Sequence, residues 1–182
     1  MPTIFENESL GVLVLRSARE TFESQKVLAD RAIAQLADEQ LREALDENTN
    51  SIAVIMKHMA GNMLSRWTEL LSSDGEKPWR DRDTEFVDDF VSREAIVACW
   101  EQGWRCLFDT LDALAPDDLL RVVPIRGEPH RVVEAIDRQL SHYGYHVGQI
   151  VQVARVLAKD RWEVLTIPRG HSVEFNRRTW QS

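Results

Sequence analysis

Apolar residues recur at helical spacing through most of the chain, and four long segments carry that period. The first runs from about Ser9 to Leu36, with Leu10, Leu13, Val14, Phe22, Leu28, Ile33 and Leu36 set among charges. Ala37 to Asn48 reads as a short helical or turn connection. The second helix starts near Thr49 or Asn50, either of which suits an N-cap, and continues to about Leu71, where Ser-Ser-Asp-Gly stops it. A polar loop follows from Asp74 to Asp83. Ser92 caps the third helix, which reaches about Ala115 and ends at Pro116. Its stripe of Trp100, Trp104, Leu107, Phe108 and Leu111 reads as core. The fourth helix runs from about Val132 to Lys159.

Two stretches break the helical period. Val122, Val123 and Ile125 are strand formers, and Gly127-Glu128-Pro129 is a turn, so a small hairpin is expected between Leu119 and Arg131. The tail, Arg161 to Ser182, holds Pro168, Gly170 and scattered aromatics, and is expected to be irregular and packed on the bundle. Together these segments predict an all-α protein: an antiparallel four-helix bundle with a small hairpin or irregular segment before the last helix. The 182 residues suit a single domain, and no domain boundary is evident.

Charge narrows the function classes. Lys and Arg total 22 against 30 Asp and Glu, a net charge of −8, which argues against general nucleic-acid or anionic-membrane binding. No apolar run approaches the roughly 20 residues of a membrane span. The first ten residues, MPTIFENESL, have no basic n-region or apolar h-region, so no secretion signal is expected there. Cys99 and Cys106 are too few for a disulfide framework. A reduced, cytoplasmic setting is the expectation.

The candidate chemistry lies in the histidines. His142 and His146 are four residues apart within the fourth helix, about 40° from each other on the helical wheel and one turn apart. Two imidazoles so placed can reach one metal ion. The apolar stripe of this helix is Val132, Ile136, Tyr143, Val147, Ile150, Ala154 and Leu157, with Gln139, His142, His146 and Gln149 along one border. These four therefore face a seam of the bundle, where an unpaired polar group costs about 1–3 kcal/mol. On the second helix, His58 borders the apolar stripe with Gly61 and Asn62 nearby. Glycine is unfavourable by about 1 kcal/mol inside a helix, so a close approach by another group would explain Gly61. On spacing alone, a hydrogen-bonded core role remains open for each histidine.

Three segments carry a resemblance: SIAVIMKHMAGNMLSRW (Ser51 to Trp67), DGEKPWRDRDTEF (Asp74 to Phe86) and AIDRQLSHYGYHVGQIV (Ala135 to Val151). With the tail element IPRGHSVEFN (Ile167 to Asn176), the chain resembles the DinB-like superfamily of metal-binding four-helix bundles, in particular an uncharacterised bacterial branch. The resemblance implies a divalent metal held by His58, His142 and His146, with positions left open to water or substrate. It also implies a homodimer and a small-molecule substrate, and no contact with DNA. Zinc or nickel suits imidazole ligands best, with iron as a further option.

Three histidines plus an open position is a catalytic arrangement, whereas closed structural zinc sites use four protein ligands. Such an ion lowers the pKa of bound water to about 7, which suits hydrolysis. It also strips the proton from a bound thiol. Some DinB-like relatives transfer low-molecular-weight thiols, so a thiol S-transferase-like activity on a small electrophile leads, with a hydrolase or a non-enzymatic metal-binding module as alternatives. Gln139, Gln149 and Asn62 are candidate partners for the imidazole N–H groups, or simple helix–helix hydrogen-bond formers. Arg80, Arg82, Arg126 and Arg169 can grip a carboxylate of the thiol, or pair with Asp81, Asp83 or Glu128 and order the loops; the second is favoured. Tyr143 reads as core. His130 and His171 read as ordinary loop residues, His171 being within possible reach of the site, and Cys99 and Cys106 as buried and inert.

Overall fold

The computed structural model describes residues 8–180, without the side chains of 178–180. The first seven residues, where no secretion signal is expected, and the last two lie outside the described residues. Four long helices form an all-α bundle: α1 (Leu10–Ile33), α3 (Ile52–Trp67), α4 (Arg93–Ala113) and α5 (Val132–Ala158). A single turn of helix, α2 (Asp38–Leu41), lies in the first connection. Serine hydroxyls start three of the long helices. Ser9 accepts from the Val12 N–H, Ser51 from Val54 and Ser92 from Ala95, each satisfying a backbone donor that the helix cannot.

The ends of α3 depart from the sequence expectation. Its cap is Ser51, because Asn48 and Thr49 are drawn into a turn closed by Asp46. It stops at Trp67, a turn before Leu71, because Thr68 is extended (ψ 123°) and Glu69 takes a positive φ of 51°. The Thr110 hydroxyl donates to the Trp67 carbonyl, which the helix itself leaves without a partner. Leu114 is already extended (ψ 134°), so α4 ends at Ala113, two residues short of the expected end near Ala115.

The hairpin is present. Strand β1 (Val122–Ile125) pairs antiparallel with β2 (Glu128–Arg131), in register Val122 with Arg131 and Ile125 with Glu128. Arg126 (φ 56°) and Gly127 (φ 76°) make the two-residue turn, and both left-handed positions match the twist of the strands. The Asp74 carboxylate accepts from both of their N–H groups, and the Gly75 N–H donates to the Pro124 carbonyl. The loop after α3 is thereby anchored to the hairpin. Among the tail residues, Leu165 is buried, but a helix, α6 (Ser172–Trp180), stands where irregular structure was expected. Its mean residue polarity is high and its described residues are exposed, so it adds little to the core.

Helix α3 packs chiefly on α4, and α1 on α5. The core between them is aromatic: Phe22, Trp67, Trp100, Trp104 and Tyr143 are all buried. The Trp67 indole N–H donates to the Tyr143 hydroxyl (3.1 Å), which donates to Asn62 Oδ1 (2.9 Å). This chain ties α3 to α5 at a fixed height and sets where their histidines meet. Among the described residues no helix is long and apolar enough to cross a membrane.

Candidate metal centre

Helix α3 contributes His58, and α5 contributes His142 and His146. The Nε2 atoms of His146 and His142 are 3.0 Å apart, and those of His58 and His142 are 3.4 Å apart. One nitrogen from each ring lies within 4.8 Å of the others, the only such set of metal-competent groups found among the described residues. Nitrogens bound at about 2.0–2.1 Å to one ion stand roughly 2.9–3.4 Å from each other, from octahedral to tetrahedral angles.

The outer nitrogens decide which atoms face inward. His58 Nδ1 is 2.9 Å from Glu85 Oε2, and His146 Nδ1 is 2.8 Å from Gln149 Oε1. A carboxylate or amide oxygen only accepts, so both Nδ1 atoms carry protons and both Nε2 atoms present lone pairs. Lone pairs converging in a half-buried seam repel each other unless a cation, or a proton on His142 Nε2, lies between them. The donor set therefore fits a divalent metal held by neutral imidazoles. His142 Nδ1 is buried with no acceptor, and Gln139 Oε1, one turn earlier, is buried with no donor. The two loose ends are complementary, although the structure forms no bond between them.

Electrostatics support the same protonation. Burial, reinforced by His146, His58, Arg80 and Arg138, pulls the His142 pKa down to about 3. Burial also lowers His146, against the opposing hydrogen bond that its Nδ1–H donates to Gln149. Both rings are neutral at pH 7, the form that binds metal.

Glu85 is the residue that sequence reasoning missed. It lies in a short 3₁₀ turn, Thr84–Phe86, that folds over α3. Arg80 holds it through two hydrogen bonds, Nε to Oε1 at 2.7 Å and Nη2 to Oε2 at 2.9 Å. Burial pushes the Glu85 carboxyl up, but the hydrogen bonds from His58 and Arg80 outweigh it and keep the acid below its ordinary value. A Cβ on Gly61 would stand 2.3 Å from Glu85 Oε1, so the helix glycine is what admits the carboxylate. That glycine was the available signal. Phe86 stacks on the His58 ring, with centroids 5.0 Å apart.

The other candidates scatter. Asn62 serves Tyr143 and bonds none of the histidines. Gln149 bonds His146 and also donates to the Tyr145 hydroxyl (3.1 Å). Beside this pair opens a cleft of about 520 Å³, lined by Tyr145, Gly148, Gln149 and Gln152 from α5 and by Asn48, Thr49 and Asn50 from the α2–α3 connection. Arg82 makes a two-pronged ion pair with Glu76, and Arg126 stands 3.6 Å from the same carboxylate. The loop arginines thus pair with Glu76 and Glu85, not with Asp81, Asp83 or Glu128, because the loop curls back on itself over α3. Arg169 is exposed in the tail. His130 meets the Glu128 carbonyl, and His171 meets Glu174. Cys99 and Cys106 are free thiols, and burial raises Cys99, the opposite of an activated thiolate.

Comparison with curated proteins and with solved structures returns no match. A family model does match, over residues 9–171, and it spans both histidine helices and the Glu85 loop. The chain accordingly belongs to DUF1572, a protein family of unknown function.

Proposed function

We propose that this chain is a divalent-metal protein of DinB-like type, with His58, His142 and His146 as ligands and a thiol S-transferase-like activity on a small electrophile. The observation that carries the reading is the convergence of three Nε2 atoms, two of them made lone-pair donors by Glu85 and Gln149 on the far side of each ring. Three neutral imidazoles suit zinc or nickel, and also iron. A bound ion of this kind acidifies a thiol or a water that reaches it. The chain's own residues hold the geometry. Glu85 fixes the tautomer of His58, Arg80 keeps Glu85 ionised, and Phe86 covers one face of the His58 ring. With three protein ligands and no fourth in the cluster among the described residues, a bound ion would keep a coordination position for a substrate. The cleft beside Tyr145 and Gln149 offers amide and hydroxyl groups to a small molecule. A homodimer and a reducing, cytoplasmic setting belong to the same proposal, the first checked by sedimentation.

The test begins with protein purified without a nickel column. Elemental analysis is expected to find one ion of zinc, nickel or iron per chain. His58→Ala, His142→Ala or His146→Ala is expected to lose it, with affinity down about 100-fold or more, beyond the roughly 10–100-fold seen for outer-sphere changes. The melting temperature of the metal-free protein should barely move, which separates a reactive centre from a structural staple. Loaded protein is then offered thiols with electrophiles. Turnover that needs the thiol supports the proposal. Turnover with water alone selects a hydrolase, and no turnover selects a binding module.

A further inference from the structure

Two helical turns beyond His58, α3 carries a buried cationic side chain. Arg66 is 2% exposed, and its Nε and Nη1 are both buried with no acceptor. Room for it is made by Gly75, where a Cβ would stand 2.3 Å from Nη1. A buried guanidinium without partners is among the more expensive arrangements in a protein, and it persists where something balances it.

The neighbouring acids are already committed. Asp74 is taken up by the N–H groups of Glu76, Arg126 and Gly127. Glu76 is shared by Arg82, Arg126 and Arg80. Glu85 holds Arg80 and His58. Buried Lys77 rests on the Ser73 hydroxyl and the Asp74 carbonyl. Arg66 is left over, and the charges of Arg138 and Arg80 bear on it as well. Burial, then these two cations, push its pKa down against the pull of Tyr143 and Glu76. In a chain of net charge −8, this corner is locally cationic.

We infer that Arg66, with Arg80 and Arg138 around it, is the anchor of a binding site for a small oxyanion, the carboxylate or phosphate group of a ligand. A guanidinium recognises either through paired N–H bonds. Arg138, on the exposed side of α5, is the member of the cluster that meets solvent. Arg80 also bonds Glu85, the partner of His58, so the site adjoins the three-histidine centre. It does not depend on the metal being there.

The test is thermal unfolding of the full chain in sodium phosphate or sodium acetate, against sodium chloride of equal ionic strength, metal-free and metal-loaded. A saturable rise of about 5–10 °C is expected at 100 times the dissociation constant. Response to acetate assigns a carboxylate, and response to phosphate alone a phosphate group. Arg66→Met, similar in volume, should abolish the rise and melt in chloride no lower than the parent. Arg138→Gln should weaken binding about two- to fivefold. In the unaltered chain, the Arg66 Nε–H resonance should shift saturably with the same anion. A rise linear in salt and equal in parent and Arg66→Met is a general salt effect and overturns the inference, as does a resonance that does not move. Because both metal states are measured, failure to load metal leaves this result readable.

Discussion

His58 and Arg66 sit on the same helix, both buried or half-buried, and they teach different things. Around His58 the outer nitrogen has an acceptor and the inner one faces two further rings. Around Arg66, Nε and Nη1 are buried with no acceptor. Burial of polar groups is common to both, so burial is not the discriminating property. The sign of the unmatched atoms is. Lone pairs gathered at one point call for a cation, and N–H groups gathered at one point call for an anion. The two corners share Arg80, which meets Glu85 on one side and lends its charge to Arg66 on the other.

The sharpest way to break this contrast is to remove the acid that separates the two corners. Glu85→Ala strips Arg80, whose side chain is 2% exposed, of its two-pronged partner. A loss of about 3–5 kcal/mol in unfolding free energy is expected by denaturant titration, while Arg66→Met loses none. Metal affinity should fall about 10–100-fold in the same Glu85 variant, since His58 loses its orienting acceptor. Gly61→Ala reaches the carboxylate from the other side. The added methyl must displace Glu85, and a loss of about 1–3 kcal/mol with weaker metal binding is the expected outcome.

Acid separates the two corners without mutation. The folded-state pKa of His142 lies near 3 and that of His146 is also lowered, whereas the unfolded chain titrates near 6.5. Between these values the unfolded state binds more protons, so stability falls as pH drops. The metal-free protein should lose up to about 1.4 kcal/mol per pH unit per histidine from roughly pH 6.5 downward, read from urea midpoints. Metal should be released over the same acid range as protons compete for the rings. The guanidinium of Arg66 keeps its proton throughout, so phosphate binding should not share this histidine-linked dependence once the titration of phosphate itself is allowed for. The mildest change is Gln149→Ala, which removes an amide acceptor from His146 and is expected to weaken metal binding about tenfold or less by competition titration.

Much of this was legible in the residues, and the limits are instructive. Helical period placed α1, α4 and α5 within a few residues of their observed ends, and the turn glycine marked the hairpin. The i, i+4 pair on α5 needs no tertiary information, because the helix alone sets its spacing. The tail helix was missed because a short, polar segment with few buried residues has little apolar period to read. Glu85 was missed because it lies in a loop rich in Asp and Glu, where no spacing distinguishes one acid from the next.

What the chain determined by itself is the local order: which segments wind into helices, which stripe each one buries, and that His142 and His146 share a face. Those properties follow from short-range periodicity and caps. Only the packed molecule decided that His58 meets them, that Glu85 reaches through the gap at Gly61, and that two nitrogens of Arg66 end with no acceptor. Such meetings join residues tens of positions apart. They depend on how whole helices and a curling loop settle against one another, and no local pattern encodes that.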